Sequence, residues 1–159
     1  MADIKVARVD FRLVHGQIIT KWIKYYPVDR IVVVDDALAN DDFMKEIYEM
    51  AVPKGTKFKV VTLNEAKETL DQMNATVFLL FKDVKTCAKA VEMGLRFQFL
   101  VVGGVPGGEG RKVISDGICL NQQELVALEE VNQVIPEVVF KGIPEESTVT
   151  MEKAKEKFK

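Results

Sequence analysis

Short apolar runs alternate with amphipathic segments along most of the chain. The runs are rich in Val, Ile, Leu and Phe and contain few polar residues, a pattern typical of strands that are buried on both faces of a parallel sheet. We therefore predict buried strands at residues 4–9, 31–34, 58–61, 77–81, 97–102 and 138–140.

The segments between these runs place apolar residues three or four positions apart, which is the spacing of one helix face. A helix at 17–25 is stopped by Pro27, and a later helix is closed by Gly94. Capping-box spacing, with a Glu three residues after the cap, begins two further helices at Thr62 and Asn121. The predicted apolar faces are Ile18, Ile19, Trp22 and Ile23; Phe43, Ile47 and Met50; Leu63, Ala66, Leu70 and Met73; Val84, Cys87, Ala88 and Val91; and Leu125 and Leu128.

Strands that alternate with helices predict an α/β fold in which helices cover both faces of a mostly parallel sheet. No linker or internal repeat divides the sequence, so we expect one three-layer, doubly wound domain over 1–159, with a weak surface helix or frayed tail at 148–159. In such folds the ligand site lies beyond the carboxyl ends of the strands. The candidate loops are therefore 10–16, 35–41 and 103–110.

Charge and cysteine content argue against several classes of function and of binding site. The 22 basic and 24 acidic residues nearly balance, which argues against a broad electrostatic grip on nucleic acid or on anionic lipid. Cys87 and Cys119 form no C-x-x-C pair, and together with a single histidine they cannot supply a typical zinc site. We expect no metal, no cofactor and no nucleic-acid partner. Free thiols and the lack of a signal-peptide pattern lead us to expect a cytoplasmic protein.

The loop after the first predicted strand reads RVDFRLVHGQ, from Arg8 to Gln17, and holds the only histidine, His15. Imidazole is a good nucleophile at neutral pH because much of it is unprotonated there. A following helix N-terminus favours the neutral ring and a phosphoryl dianion, and Gly16 leaves room for close backbone approach. Arg12, together with Arg8, can neutralise phosphoryl oxygens through forked donors. Phosphoryl transfer needs mainly such positioning and electrostatic stabilisation.

These residues also have structural interpretations. A lone histidine is most often a hydrogen-bonded residue of the fold, and the residues by themselves leave His15 open between that role and a nucleophile. Asp10 is either a turn or cap residue or the group that orients Arg12 or the imidazole.

Two other polar segments are given structural interpretations. The acidic cluster of Asp35, Asp36, Asp41 and Asp42 is interpreted as helix caps rather than as a divalent metal site. The glycine-rich loop 103–110 matches neither G-x-G-x-x-G nor G-x-x-x-x-G-K-[ST], so it is a weak indication of nucleotide binding. We expect a flexible loop that closes over the site or meets a partner.

The stretch RVDFRLVHGQ, followed by Trp22, resembles the motif of the mannose/fructose/sorbose family of enzyme IIB components. That family belongs to the bacterial phosphoenolpyruvate-dependent sugar phosphotransferase system. Residues 33–41 (VVDDALAND), residues 81–83 (FKD) and the pair Gly103 and Gly104 are also similar to segments of the family. Two positions depart from its pattern. Phe11 stands where many relatives have Asp or Asn, and residues 101–102 are valines where an Asn often precedes the glycines.

The resemblance implies a phosphotransferase enzyme that acts as a phosphocarrier in sugar transport. His15 would accept a phosphoryl group from a phosphohistidine of a IIA domain and pass it to a sugar bound by the membrane components IIC and IID, at the inner face of the membrane. Arg12 matches the family arginine beside the phosphohistidine. The resemblance suggests Nδ1 as the phosphorylated nitrogen, with Nε2 held by a neighbour that the sequence does not identify. Besides the catalytic His15 and Arg12, the predicted phosphate-binding residues are Arg8, Asp10, Gly16 and Gln17.

Two alternatives remain open at this point. One is a non-enzymatic signalling or anion-binding module that uses the same loop as a receptor. The other is a nucleotide-binding enzyme of doubly wound type, which is suggested by the fold and the glycine-rich loop. The sequence determines neither the sugar nor the oligomeric state.

Overall fold

The structure of the chain is a computed structural model that describes the backbone of residues 1–159 and every side chain except those of Gln17 and Ile18. The strands are β1 (Asp3–Asp10), β2 (Arg30–Val34), β3 (Lys57–Val61), β4 (Thr76–Phe81), β5 (Phe99–Gly104), β6 (Lys112–Ser115), β7 (Ile118–Leu120), β8 (Glu137–Phe140) and β9 (Val149–Thr150). The helices are α1 (Gly16–Tyr25), α2 (Asp36–Ala39), α3 (Asp42–Met50), α4 (Leu63–Gln72), α5 (Val84–Glu92), α6 (Gln122–Val134) and α7 (Met151–Glu156).

Seven of the strands form one sheet in the order β3-β2-β4-β1-β5-β8-β9. The pairs are parallel except for β9, which runs antiparallel to β8. All the predicted strands are present at or within two residues of their expected bounds, and the prediction of a mostly parallel α/β sheet is confirmed.

Helices cover both faces of this sheet, as predicted. One apolar cluster joins the sheet to α1, α2 and α3, through residues such as Ile19, Trp22 and Leu38. The other joins it to α4, α5, α6 and α7, through residues such as Leu70 and Leu128. The chain therefore leaves β1 toward one face and leaves β5 toward the other, and in doubly wound sheets ligands bind at the carboxyl ends of two such neighbouring strands. None of the helices that the structure describes is long and apolar enough to cross a membrane.

Side-chain caps begin several helices where the sequence predicts them. Thr62 and Asn121 each form a complete capping box, with Glu65 and Glu124 respectively. In the acidic cluster, Asp35 accepts a hydrogen bond from the Leu38 amide and begins α2, and Asp41 accepts one from the Met44 amide and begins α3. The cap interpretation of these two residues is confirmed. Asp36 accepts a hydrogen bond from the Leu63 amide, and Asp42 pairs with Lys45.

The segment 103–110 differs from the predicted flexible loop. Gly103 and Gly104 are the last residues of β5, and only the residues after them leave the sheet. The chain then forms the antiparallel hairpin of β6 and β7, which the sequence analysis did not predict. Arg111 attaches this hairpin to α6, because its guanidinium donates to the Glu124 carboxylate at 2.6 Å and to the Cys119 carbonyl at 3.2 Å.

Two further expectations are wrong in detail. At the C-terminus the predicted helix is present as α7, but the frayed-tail alternative is wrong, because β9 extends the sheet and α7 buries Met151 and Ala154. In α3 the predicted apolar face of Phe43, Ile47 and Met50 points to solvent, with exposed fractions of 71%, 42% and 85%. The half-buried residues Met44 and Tyr48 pack against the core instead.

Candidate functional site

A tight turn follows β1 and brings the motif residues together. The Leu13 amide donates to the Asp10 carbonyl at 3.0 Å, and Leu13 has a φ of 55°, in the left-handed region that non-glycine residues seldom adopt. The Leu13 side chain is buried, as is that of Val14, so apolar packing holds the strained turn in place. Because the chain reverses here, Arg12 and His15 both contact the side chain of Asp10.

The Asp10 carboxylate is the centre of the site and has no exposed surface. It accepts hydrogen bonds from the backbone amide of Arg12 at 3.0 Å, from Nε of Arg12 at 3.1 Å and from Nη2 of Arg8 at 3.1 Å. Burial by itself raises the pKa of Asp10. The hydrogen bonds from His15 and Arg12 and the charge of Arg8 outweigh burial and hold that pKa well below its ordinary value. Asp10 is therefore an anion at neutral pH.

His15 is bound to this anion through one ring nitrogen. Its Nε2 lies 3.0 Å from Oδ2 of Asp10, and its side chain is 26% exposed. An ionised carboxylate can only accept a hydrogen bond, so Nε2 carries the proton and the lone pair of the neutral ring lies on Nδ1. Among the described side chains, none forms a hydrogen bond with Nδ1. His15 is also the N-cap residue of α1, without a side-chain cap, so the free amides of the first helical turn follow it directly.

Arg8 is buried behind Asp10, with a side chain only 1% exposed. Its Nη2 donates to Asp10, its Nη1 donates to the Lys141 carbonyl at 3.3 Å, and its guanidinium carbon lies 5.3 Å from the ring centroid of Trp22. Burial lowers the pKa of Arg8, and the neighbouring Asp10 charge opposes this effect. Trp22 is also fully buried and donates from Nε1 to the Gly142 carbonyl at 2.9 Å.

Two other predicted site residues, Arg12 and Gly16, are at the surface. Arg12 has a side chain that is 42% exposed, so its guanidinium reaches from the buried carboxylate to solvent. Gly16 is exposed, and a Cβ added to it would meet nothing within 4 Å. Its backbone begins α1. The Gln17 side chain lies outside the described residues, so its predicted phosphate contact stays a prediction.

The contacts of Lys141 and Gly142 cannot be predicted from the sequence. These residues follow β8 and act through backbone carbonyls, for which a sequence carries no side-chain signal. Trp22 was visible as an apolar helix residue and as part of the motif, but its contact with Arg8 depends on how α1 packs. The site therefore combines a nucleophilic nitrogen, an exposed guanidinium and a helix N-terminus, a set suited to a phosphoryl group.

Comparison with known proteins places this chain in a family. Residues 4–159 match the model of the PTS system sorbose subfamily IIB component. The chain belongs to this family. The sorbose-specific EIIB component of Lacticaseibacillus casei is 32% identical to it over 134 residues, which are 82% of each chain. The fructose-specific EIIB component of Bacillus subtilis strain 168 is 27% identical over 151 residues, which are 93% of each chain.

Solved structures of IIB proteins have the same fold. The crystal structure of manxB from Thermoanaerobacter tengcongensis superposes with a TM-score of 0.93 at 38% identity, covering 99% of this chain and 98% of that one. The IIBSor domain of the sorbose permease from Klebsiella pneumoniae superposes with a TM-score of 0.88 at 28% identity, covering 96% of each chain. This IIB component is thus a member of the phosphotransferase system of sugar transport, and the family resemblance found in the sequence is confirmed.

Proposed function

We propose that this IIB component is a phosphocarrier that accepts a phosphoryl group on Nδ1 of His15 and passes it to a sugar. The observation that carries the proposal is the 3.0 Å contact between Nε2 of His15 and Asp10, because it leaves the lone pair on Nδ1 of a partly exposed ring. We further propose that residues 1–159 act as a single IIB domain, in keeping with a family match over 4–159.

In the loading step, the Nδ1 lone pair attacks the phosphorus of a phosphohistidine on the donor. The bond from phosphorus to the donor nitrogen breaks, and that nitrogen keeps the electron pair. The proton on Nε2 of His15 stays in place, and the Asp10 anion stabilises the positive charge that develops on the ring. In the unloading step, a sugar hydroxyl attacks the phosphorus, Nδ1 takes its electron pair back, and a base beside the bound sugar takes the hydroxyl proton.

Arg12 and the N-terminus of α1 neutralise the transferred group. The Arg12 guanidinium binds Asp10 and is also open to solvent, so it can donate to phosphoryl oxygens on His15. The amides of the first turn of α1, including that of Gly16, add the positive end of the helix dipole, and no acidic side chain stands in that turn. Gln17 at the second helical position stays in the proposed phosphate-binding set.

Arg8 and Asp10 have a different part in this proposal from the direct phosphate contact that the sequence suggested. Both side chains are buried, and each is already bound to the other. We assign Asp10 the task of orienting His15 and Arg12, and Arg8 the task of holding Asp10. Neither residue has to touch the phosphate.

The donor that we propose is a IIA domain, and the acceptor is a sugar bound by the IIC and IID membrane components, which bring this protein to the inner face of the membrane. A relative from Escherichia coli strain K12, 29% identical over 132 residues, is named the mannose-specific EIIAB component. These residues are 81% of this chain and 41% of that protein. Its name joins a IIA to a IIB designation, which supports a IIA donor.

The test is transfer of radioactive phosphate from phosphoenolpyruvate through the general phosphocarriers and a IIA domain. We expect label on the wild type and on the control variant Tyr25→Phe, in which an exposed side chain of α1 is changed, and none on His15→Ala. The label should be lost in acid and kept in base, as expected for a phosphoramidate. Label that persists on His15→Ala, or a wild type that takes none, contradicts the proposal.

A second stage of the same experiment separates a carrier from a receptor. Labelled protein is added to membranes that contain the IIC and IID components and a sugar, and phosphorylated sugar is measured. Stable label with no phosphorylated sugar would favour the anion-binding or signalling alternative.

A further inference from the structure

Gly103 and Gly104 lie beside the two buried charges of the site. In the pairing of β1 with β5, Arg8 is opposite Val101 and Val9 is opposite Val102, whereas Asp10 is opposite Gly104. The register therefore shifts by one residue between Val9 and Asp10, so β5 carries an extra residue at this point. Such a bulge changes the direction of the strand and of the side chains next to it.

Space is what requires glycine at both positions. A Cβ on Gly104 would lie 2.5 Å from Oδ1 of Asp10 and 3.1 Å from Nη2 of Arg12. A Cβ on Gly103 would overlap the guanidinium of Arg8. Neither glycine has a positive φ, so neither is needed for its backbone conformation. Gly107 provides a contrast, because a Cβ there would meet only Sγ of Cys119, at an ordinary 3.6 Å.

The Arg8 guanidinium is surrounded by further contacts besides Gly103. Its guanidinium reaches the Lys141 carbonyl with one nitrogen and the Asp10 carboxylate with the other, and it lies over the buried ring of Trp22. Asp10 in turn is bound by both arginines and by His15. A side chain inserted at Gly103 or Gly104 would therefore have to displace the Arg8 guanidinium or the Asp10 carboxylate from these contacts.

We propose that Gly103 and Gly104 are positioning residues that decide which nitrogen of His15 takes the phosphoryl group. Because neither glycine has a side chain, the side chains of Arg8 and Asp10 fit against β5. The Asp10 carboxylate therefore stays hydrogen-bonded to Nε2 of His15. The inference rests on the proposed phosphorylation of His15 and adds to it the device that selects Nδ1.

The chemistry of selection follows from the proton on the ring. With Asp10 in place, Nε2 holds the proton and only Nδ1 has a lone pair for attack on phosphorus. With Asp10 displaced, both neutral tautomers of His15 become populated, so Nε2 can also attack. In either case one phosphorus–nitrogen bond forms as the bond to the donor nitrogen breaks, and the proton stays on the ring nitrogen that did not attack.

The experiment compares wild type with Gly104→Ala, and uses Gly107→Ala as the matched control. Long-range proton–nitrogen NMR of the unphosphorylated proteins reports the tautomer of His15, and the same spectrum after phosphorylation reports which nitrogen carries phosphorus. We expect the wild type and Gly107→Ala to hold the proton on Nε2 and the phosphoryl group on Nδ1. For Gly104→Ala we expect a tautomer mixture, part of the phosphoryl group on Nε2, and loading by IIA slower by on the order of 100-fold.

Arg8→Lys provides a second variant in case Gly104→Ala does not fold. Lysine keeps the charge, but its single ammonium lacks the fork that spans Asp10 and the Lys141 carbonyl. The expected result is again a tautomer mixture on His15. A folded Gly104→Ala or Arg8→Lys with the wild-type tautomer and phosphoryl group only on Nδ1 overturns the inference. If wild type is not phosphorylated on His15, the proposed function fails, while the tautomer comparison in unphosphorylated protein still tests the positioning role.

Discussion

The Nε2 atom of His15 and the Oδ2 atom of Asp10 lie 3.0 Å apart, with the imidazole partly exposed and the carboxylate without any contact with solvent. A buried anion thus determines which nitrogen of the partly exposed ring carries the proton. The arrangement links the interior of the sheet to the imidazole of His15, and it makes the site sensitive to changes that are made well below the surface.

Replacing Asp10 with Asn should destabilise the fold. The amide introduced by this change carries no charge, so the buried Arg8 guanidinium would lose its counterion, and removing one partner of such a pair costs about 3–5 kcal/mol. We expect a lower midpoint of urea unfolding, with a control variant Asp116→Asn, in an exposed hairpin turn, close to wild type. An Asp10→Asn protein as stable as wild type would show that the charge pair adds no stability.

The same carboxylate should make stability depend on pH in acid. The pKa of Asp10 is lower in the folded chain than in the unfolded one, where a carboxyl of this type titrates at about 3.9. Its contribution is therefore present above about pH 4 and is lost as the pH falls further, through the lowered pKa of the folded state. Urea unfolding of wild type and Asp10→Asn between pH 7 and pH 3 should show the difference between them shrinking toward acid. A difference that is constant or grows would contradict this assignment.

Replacing Trp22 with Phe should destabilise the packing that holds Arg8 behind Asp10. The change removes the donor to the Gly142 carbonyl and the best ring for contact with Arg8, and it leaves a space in the core. We expect a loss of about 1–3 kcal/mol in the free energy of unfolding, followed by circular dichroism because Trp22 is the only tryptophan. Tyr25→Phe, on the exposed side of the same helix, should change little. Equal stability of the two variants would contradict the supporting role of Trp22.

The two cysteines should differ sharply in reactivity. Burial, with a smaller contribution from Asp83, raises the pKa of the Cys87 thiol far above its ordinary value, and Cys119 is half-buried. Because the thiolate is the reactive form, a thiol reagent should modify Cys119 in the native protein and reach Cys87 only after unfolding. Cys119→Ser should remove the native reaction, and Cys87→Ser should leave it. Rapid native modification of Cys87 would show that the core around it opens.

The α3 helix shows that apolar periodicity can predict a helix without predicting which of its faces is buried. Phe43, Ile47 and Met50 are at helical spacing, but so are the half-buried Met44 and Tyr48, which lie one position further round the helix. The periodicity correctly predicts a helix, because it depends on local spacing. It does not say which of two apolar stripes meets the sheet, because that depends on how the connection from β2 to β3 crosses the sheet.

The hairpin of β6 and β7 is hard to predict from the sequence for a related reason. Its strands are short, and the glycines before it favour a loop interpretation, although the Asp116-Gly117 dipeptide is a known hairpin-turn signal. The same glycines make the end of β5 hard to predict from the sequence. Gly103 and Gly104 have low strand propensity, and they belong to the sheet because the neighbouring strand fills the space they leave.

Local patterns in the chain were enough to predict the alternation of strands and helices, the caps at Thr62 and Asn121, and a candidate histidine in a motif typical of IIB components. These features depend on spacing and residue type within a few positions. The folded structure was needed to show that Asp10 holds Nε2 of His15 and that Arg8 lies buried behind Asp10. It was also needed to show that residues from β5 and from the end of β8 enclose the pair. The enclosing contacts join segments more than 90 residues apart, and they are made by glycines and a backbone carbonyl that carry no pattern of their own.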